Sequence, residues 1–437
     1  VFVQRCISCE NEFRLEGLNA RMYVCSRCGD LLDIERSEPL RQSVEELRAL
    51  WLARLQSREG RDRSGVWRFR EMLPFGADDG VVSLGEGNTP LYDAPRSADY
   101  CGLASLRLKH QGNNPTGSFK DTGMTVAVTQ ALKLDMRLVA CASTGNTAAS
   151  LAAYAARARM SCAILVPEGQ VSDAKLAQAL DYGAKVLEIE GNFDVCMRVI
   201  QELAEQSSLY LVNSINPFRI EGQKTVAFEL AEQLDWNVPD HIVVPGGNLG
   251  NSSALGKGFR ELFGHGFTRK QPRISVIQAE GAAPFARFAS ALGDAEFVDE
   301  IHPMTLASAI KIGAPVSWKK SWRAVRETGG CVITVSEQEI ADAKAMIGRD
   351  GVGCEPASAT TVAGIRKLVS DGAIGKTESV VAVLTGHVLK DTDYVIKYHN
   401  QTLATENGES IRGTFANSIV RVAARPCAIE NALKDLS

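Results

Sequence analysis

Neither sign of charge dominates this chain: 48 basic side chains face 52 acidic ones, for a net charge of −4. That balance offers no general attraction to nucleic acid or to anionic membrane. Long apolar runs are also missing. The longest uncharged stretch, Leu138 to Ala156, is interrupted by Ser143-Thr144-Gly145-Asn146-Thr147 and is no membrane span. No basic-then-apolar leader opens the sequence, and no internal repeat or low-complexity segment occurs. Eleven cysteines, an odd number, argue against a disulfide framework and for a reducing cytoplasm. The glycine-rich loops include neither a GxGxxG fingerprint nor a P-loop. What is present in quantity is apolar: 45% of 437 residues, enough for two or three domains with ample core.

Four of the cysteines stand apart. Cys6-x2-Cys9, fifteen intervening residues and Cys25-x2-Cys28 form the two-knuckle pattern of a tetrahedral zinc site. Four thiolates leave no open position, so a structural metal is expected over residues 1–36. Arg5, Arg14, Arg21 and Arg27 are balanced there by Glu10, Glu12, Glu16 and Asp30, which favours a folding module or docking surface over a nucleic-acid reader. Residues 37–80 read as a charged connector with helical periodicity through Val44–Trp51. A glycine-punctuated loop, Leu84 to Leu91, then enters the main body.

From about residue 104 apolar runs alternate with Ala/Leu-rich helical stretches such as Thr147–Arg159 and Lys175–Asp181. The runs lie at 105–109, 137–141, 161–166, 185–189, 210–212, 241–244, 273–278, 332–335 and 379–384. Such alternation predicts open, mostly parallel α/β sheets, with ligands at the carboxyl ends of strands. Residues 401–437 read as a C-terminal extension.

Four strand-end loops and one lysine carry the chemistry. In Asn113 to Met124, Ser118 and Asp121 have the capping-box spacing, so a helix is predicted to open at Ser118. Lys120 would lie in its first turn, beside Phe119, and on this stretch alone it reads as an ordinary lysine of a surface helix before it reads as a reactive one. A lysine partly withdrawn from water loses its charge readily, and a free amine can form a Schiff base. In Pro245 to Ser253, Gly247, Asn248, Leu249, Gly250 and Asn251 make either an anion cradle ahead of a helix or an ordinary glycine-rich turn between strand and helix. Ser143, Thr144, Asn146 and Thr147 form a second anion-ready helix start. Ser214, Asn216 and Arg219 suit a phosphate, although Arg219 could instead pair with Glu221 or Glu229. Thr385, in Thr385-Gly386-His387, could face a heterocyclic nitrogen or simply close a turn.

In this order, the motifs Leu84–Leu91, Asn114–Asp121, Ser143–Thr147, Asn213–Arg219, Gly247–Asn251 and Thr385–Gly386 resemble those of the threonine synthases. These are fold-type-II pyridoxal-phosphate enzymes of the tryptophan synthase β class, and the resemblance spans about residues 81–400. It implies two α/β domains with the site between them: a large one (81–112 and 215–400) and a small mobile one (113–214). It further implies a homodimer that converts O-phospho-L-homoserine and water to L-threonine and phosphate. Lys120 would hold pyridoxal 5'-phosphate and move protons at Cα and Cβ. Gly247 to Asn251 would bind the cofactor phosphate, Asn146 its ring oxygen and Thr385 its ring nitrogen. Ser143, Thr144 and Thr147 would take the substrate carboxylate, and Ser214, Asn216 and Arg219 its phosphate. The four-cysteine start is also similar to that of some microbial members. One departure stands out: Thr122 occupies a position where many relatives have arginine. Cysteate synthase, threonine dehydratase and a non-catalytic ribbon protein are the alternatives to be tested.

Overall fold

The computed structural model describes residues 1–169, 173–191, 193–206, 209–293, 296–417 and 419–433. The chain begins with three short strands, β1 (Phe2–Cys6), β2 (Glu12–Arg14) and β3 (Leu32–Arg36), which form an antiparallel sheet in the order β2-β1-β3. Two helices follow, α1 (Val44–Leu55) and α2 (Gly60–Arg63). Helix α1 opens on a true capping box: the Ser43 hydroxyl accepts from Glu46 N, and Glu46 accepts from Ser43 N. Its Trp51 is fully buried, with ring centroids 5.0 Å from both Phe69 and Phe267, which fastens the connector to the main body.

The main body continues through β4 (Leu91–Asp93), α3 (Pro95–Cys101), β5 (Arg107–His110), α4 (Lys120–Lys133), β6 (Leu138–Ala142), α5 (Asn146–Arg157) and β7 (Ser161–Pro167). Next come α6 (Asp173–Asp181), β8 (Lys185–Ile189), α7 (Phe193–Gln206), β9 (Leu209–Leu211), α8 (Pro217–Gln223), α9 (Thr225–Gln233), β10 (His241–Pro245) and α10 (Gly250–Gly264). The last part holds β11 (Arg273–Ala279), α11 (Pro284–Ser290), α12 (Trp318–Thr328), β12 (Val332–Val335), α13 (Glu337–Arg349), α14 (Pro356–Ser370), β13 (Val380–Leu384), α15 (Thr392–His399) and α16 (Pro426–Leu433).

These strands form two sheets. The larger has the order β12-β11-β10-β13-β5-β4, and the smaller the order β8-β7-β6-β9. Every pairing in both is parallel except β4 with β5. Strands β10 and β13 are buried at every position, as expected where helices cover both faces. All nine expected strands are present. The short antiparallel β4 is an addition that periodicity does not reveal.

One expectation needs correction. Helix α4 opens at Lys120, not Ser118, and Phe119 at its N-cap makes no side-chain cap. Asp121 turns back instead, accepting from Thr116 N (2.7 Å), Thr116 Oγ1 (2.6 Å) and Ser150 Oγ (2.5 Å). With Asp121 committed to those donors, Ser118 is free to lie in extended conformation against Gly386.

Candidate active site

That pairing is what places the lysine. Phe119 N donates to Thr385 O, and His387 N to Gly117 O, both at 2.9 Å. The segment before α4 is thereby laid along the end of β13. A Cβ on Gly112 would come within 2.6 Å of His387 N, so only glycine permits the approach. Behind the lysine, α4 crosses α8 almost backbone to backbone. A Cβ on Gly222 would overlap the Thr122 carbonyl, and one on Gly123 would lie 2.8 Å from Arg219 O. Thr122 is buried in this crossing and donates its hydroxyl to Phe119 O (2.9 Å).

Lys120 is half-buried as a residue, but its amino group lies among closely packed protein atoms. Desolvation, helped by the nearby Arg219 charge and opposed by Glu355, brings its pKa down to about 7. The amine is therefore substantially neutral near pH 7, as a Schiff-base former must be. Its Nζ also sits 4.3 Å from the centroid of the Phe119 ring.

Arg219, at the start of α8, is 3% exposed. Among the described residues its Nη1 makes one long bond, to Val212 O (3.4 Å), and its Nε has no partner. Burial pushes its pKa down to about 10. The two glutamates that could have neutralised it are engaged elsewhere. Glu221 pairs with Lys224 (2.7 Å) and Lys257 (2.6 Å), and Glu229 pairs with buried Lys109 while accepting from Asn88 N and Thr89 N. Among the described residues no carboxylate lies within ion-pair distance of Arg219. A buried, unneutralised guanidinium is costly unless an anion arrives.

The loop after β10 has the form of an anion cradle. Leu249 adopts the left-handed conformation (φ 64°) directly before α10, a conformation non-glycine residues hold at a cost of about 1–2 kcal/mol. Asn251, in the first turn, is 5% exposed, and neither its Oδ1 nor its Nδ2 is bonded. The buried Ser118 hydroxyl and Gln223 Oε1 also lack partners. Gln223 adjoins the cradle, with its Oε1 3.7 Å from where a Gly250 Cβ would stand. Unsatisfied polar atoms this deep mark places where a polar ligand belongs. A phosphate-bearing cofactor with an aldehyde fits this donor set and the neutral amine.

Ser143, Thr144, Asn146 and Thr147 are all half-buried around the start of α5, where Ser143 Oγ accepts from Gly145 N (3.3 Å). Asn213 fastens this turn to the neighbouring strand end, accepting from Ala142 N and donating to Ala142 O. Asn146 Nδ2 donates to Glu355 Oε2, and Thr385 Oγ1 donates to Glu355 Oε1, both at 2.9 Å. One buried carboxylate thus bridges a helix of the smaller sheet and the end of β13. Burial raises its pKa, countered by those two hydrogen bonds. Glu355 is the site residue the sequence reasoning missed. The available signal was Glu355-Pro356 at the start of α14, with proline in the first turn and a carboxylate at the N-cap.

The sites proposed for Lys120, Asn146, Thr385 and Arg219 converge: Lys120 feels both Arg219 and Glu355 electrostatically, and Glu355 holds the other two. Asn216 faces the other way. It is fully buried, accepts from Phe218 N as the cap of α8 and donates to Leu211 O (2.9 Å). Ser214 lies half-buried just ahead of it.

At the amino terminus the Sγ atoms of Cys6, Cys9, Cys25 and Cys28 all lie within 4.8 Å of one another. Cys6–Cys28, Cys9–Cys28 and Cys9–Cys25 are 3.4, 3.5 and 3.6 Å apart. A tetrahedron of thiolates around zinc has edges of about 3.8 Å, so the four sulfurs fit such an ion. The backbone N–H groups of Cys9 and Arg27 donate to Cys6 and Cys25 Sγ, as in a knuckle turn.

The family model for pyridoxal-phosphate dependent enzymes matches residues 82–386. A threonine synthase of Methanosarcina acetivorans is 45% identical over 411 residues, covering 93% of this chain and 97% of its own. One from Methanocaldococcus jannaschii is 44% identical, covering 92% and 96%, and one from Mycobacterium bovis is 45% identical, covering 75% and 89%. Among solved structures, a fungal L-serine ammonia-lyase from Rhizomucor miehei superposes with a TM-score of 0.63 at 19% identity, covering 74% of this chain and 100% of its own. The processed form of threonine deaminase isoform 2 from Solanum lycopersicum gives 0.60 at 20% identity, covering 80% and 86%. At those identities the superpositions speak for the fold alone, whereas the first two curated relatives share sequence over more than nine-tenths of the chain and the third over three-quarters. The chain belongs to the pyridoxal-phosphate dependent enzymes and, within them, to the threonine synthases.

Proposed function

We propose that this cleft converts O-phospho-L-homoserine and water to L-threonine and phosphate, with Lys120 as proton carrier and Arg219 as holder of the leaving group. The observation that carries the reading is the juxtaposition of an amine lowered to about 7 with a buried guanidinium that has no carboxylate partner among the described residues. When bound, pyridoxal 5'-phosphate supplies a carbonyl for Lys120 and a ring that stabilises negative charge at the substrate's Cα. Gly247, Asn248, Leu249, Gly250 and Asn251 would hold its phosphate. Asn146 and Thr385, tied together by Glu355, would flank its ring.

The remaining steps belong to the chain's own groups. Ser143, Thr144 and Thr147, with the amino end of α5, orient the substrate carboxylate. Lys120 takes a proton from Cα and then one from Cβ. Ser214 and Arg219 stabilise the γ-phosphate as its C–O bond breaks, with Asn216 setting the start of the helix that carries the arginine. The two protons are then given back, one at Cγ to complete the methyl group and one at Cα, while the hydroxyl of water adds at Cβ and its proton leaves with the phosphate, so that Lys120 ends as it began. Residues 113–214 act as the small domain that closes over the substrate and keeps water from early intermediates. Cys6, Cys9, Cys25 and Cys28 hold a structural zinc, and the enzyme works as a cytoplasmic homodimer.

Arg219→Ala tests the reading. It is expected to raise KM for O-phospho-L-homoserine and lower kcat, a combined loss of about 1.5–3 kcal/mol, with the cofactor's visible absorption intact. An unchanged KM would contradict it.

A further inference from the structure

Arg219 is left unneutralised because Glu221, two residues away, is held by Lys224 and Lys257, and Lys257 is held in turn by the amino-terminal ribbon. Asp33 on β3 is 4% exposed, and its Oδ1 lies 3.1 Å from Lys257 Nζ and 3.5 Å from Lys320 Nζ. Lys257, on α10, also donates to Ile34 O and stands 2.6 Å from Glu221 Oε1. Lys320, on α12, donates to Leu32 O (2.7 Å). Glu221 Oε2 accepts from Lys224 Nζ (2.7 Å), which also reaches Glu261 (2.8 Å). Three carboxylates and three ammonium groups therefore form one network, buried except at the half-buried Glu261, and the ribbon contributes one of its members. Burial alone would raise the Asp33 pKa, but Lys257, Lys320 and Arg260 hold it well below the usual carboxylate range.

The ribbon also grips the other flank of the same segment. The Tyr23 hydroxyl accepts from Leu211 N (2.8 Å) at the end of β9, the edge strand of the smaller sheet. The Tyr23 ring lies 5.8 Å from that of Tyr210. Strand β9 leads into the Ser214 turn and α8 follows it, so Tyr23 holds the strand before that turn and the Asp33 network holds the helix after it, which carries Arg219. Of the remaining contacts, Asp30 with Lys319 and Ser8 anchors the knuckles to α12.

We propose that the ribbon is a positioning element of the leaving-group pocket, with Asp33 and Tyr23 as its positioning residues. This rests on reading Arg219 as a phosphate ligand. Asp33 keeps Lys257 on Glu221, and Glu221 keeps its charge away from Arg219. Tyr23 fixes where the preceding strand ends.

The test uses the full-length holoenzyme and its Asp33→Asn, Tyr23→Phe and Arg219→Ala variants. Two quantities are measured: KM and kcat for O-phospho-L-homoserine, and the dissociation constant of inorganic phosphate by calorimetry. Asp33→Asn is expected to raise both KM and the phosphate constant about tenfold, with kcat within about threefold and the cofactor absorption unchanged. Tyr23→Phe, the milder change, is expected to weaken both about threefold and decides the matter if Asp33→Asn does not fold. Unaltered phosphate affinity in the ribbon variants, with Arg219→Ala weakened, would overturn the positioning role alone. Unaltered affinity in Arg219→Ala would overturn the leaving-group reading itself.

Discussion

Lys120 illustrates how far a residue's chemistry departs from its type. A solvated lysine titrates near 10.4, whereas burial beside Arg219 brings this one to about 7. A lowered lysine pKa means the neutral, nucleophilic form dominates above that value. Recombination of the cofactor-free protein with pyridoxal phosphate should therefore speed up with pH around a midpoint near 7, as followed by the visible absorption, and Lys120→Ala should abolish it. A midpoint near 10 would show that the amine is solvated. Lys120, Asn146, Thr385, the cradle and Arg219 could all be singled out as candidates from the sequence, because each stands in or beside a strand-end loop whose residue types suit an anion or a polar ring. Glu355 was not: it acts through partners 209 and 30 residues away, and no local spacing announces such contacts. The two readings of Arg219 could also be separated only in three dimensions, by finding both glutamates already paired.

Among the elements, the crossing of α4 and α8 does most to set the site, since it brings Lys120 and Arg219 together. Its closeness depends on Gly123 and Gly222. Gly222→Val is expected to destabilise the protein by about 1–3 kcal/mol or more in urea unfolding, because the Thr122 backbone cannot yield. Gly348→Ala, in helix α13 with open space around its Cβ, should be neutral or stabilising by up to about 1 kcal/mol. Equal effects at the two positions would argue against a tight crossing. The strands were readable because parallel strands covered on both faces leave continuous apolar runs. The start of α4 was misplaced because a Ser-x-x-Asp spacing cannot reveal that Thr116 and Ser150 compete for the same carboxylate.

At the scale of the whole molecule, three bodies are joined: the larger sheet carries the cradle and Thr385, the smaller carries Asn146, which Glu355 ties to Thr385, and the ribbon braces the segment between them through Tyr23 and Asp33. None of that bracing is visible in sequence order, where Asp33 and Lys257 stand 224 residues apart. Stripping metal with a chelator is expected to expose residues 1–36 to proteolysis and lower the thermal midpoint while turnover persists at a raised KM. Intact resistance to proteolysis after metal loss would speak against a structural ion. The most direct measurement of the catalytic assignment supplies O-phospho-L-homoserine, O-phosphoserine with sulfite, and threonine to the purified holoenzyme in parallel. Threonine and phosphate in equal amounts from the first substrate, with little turnover of the others, is the expected result; 2-oxobutyrate from threonine as the main product would contradict it.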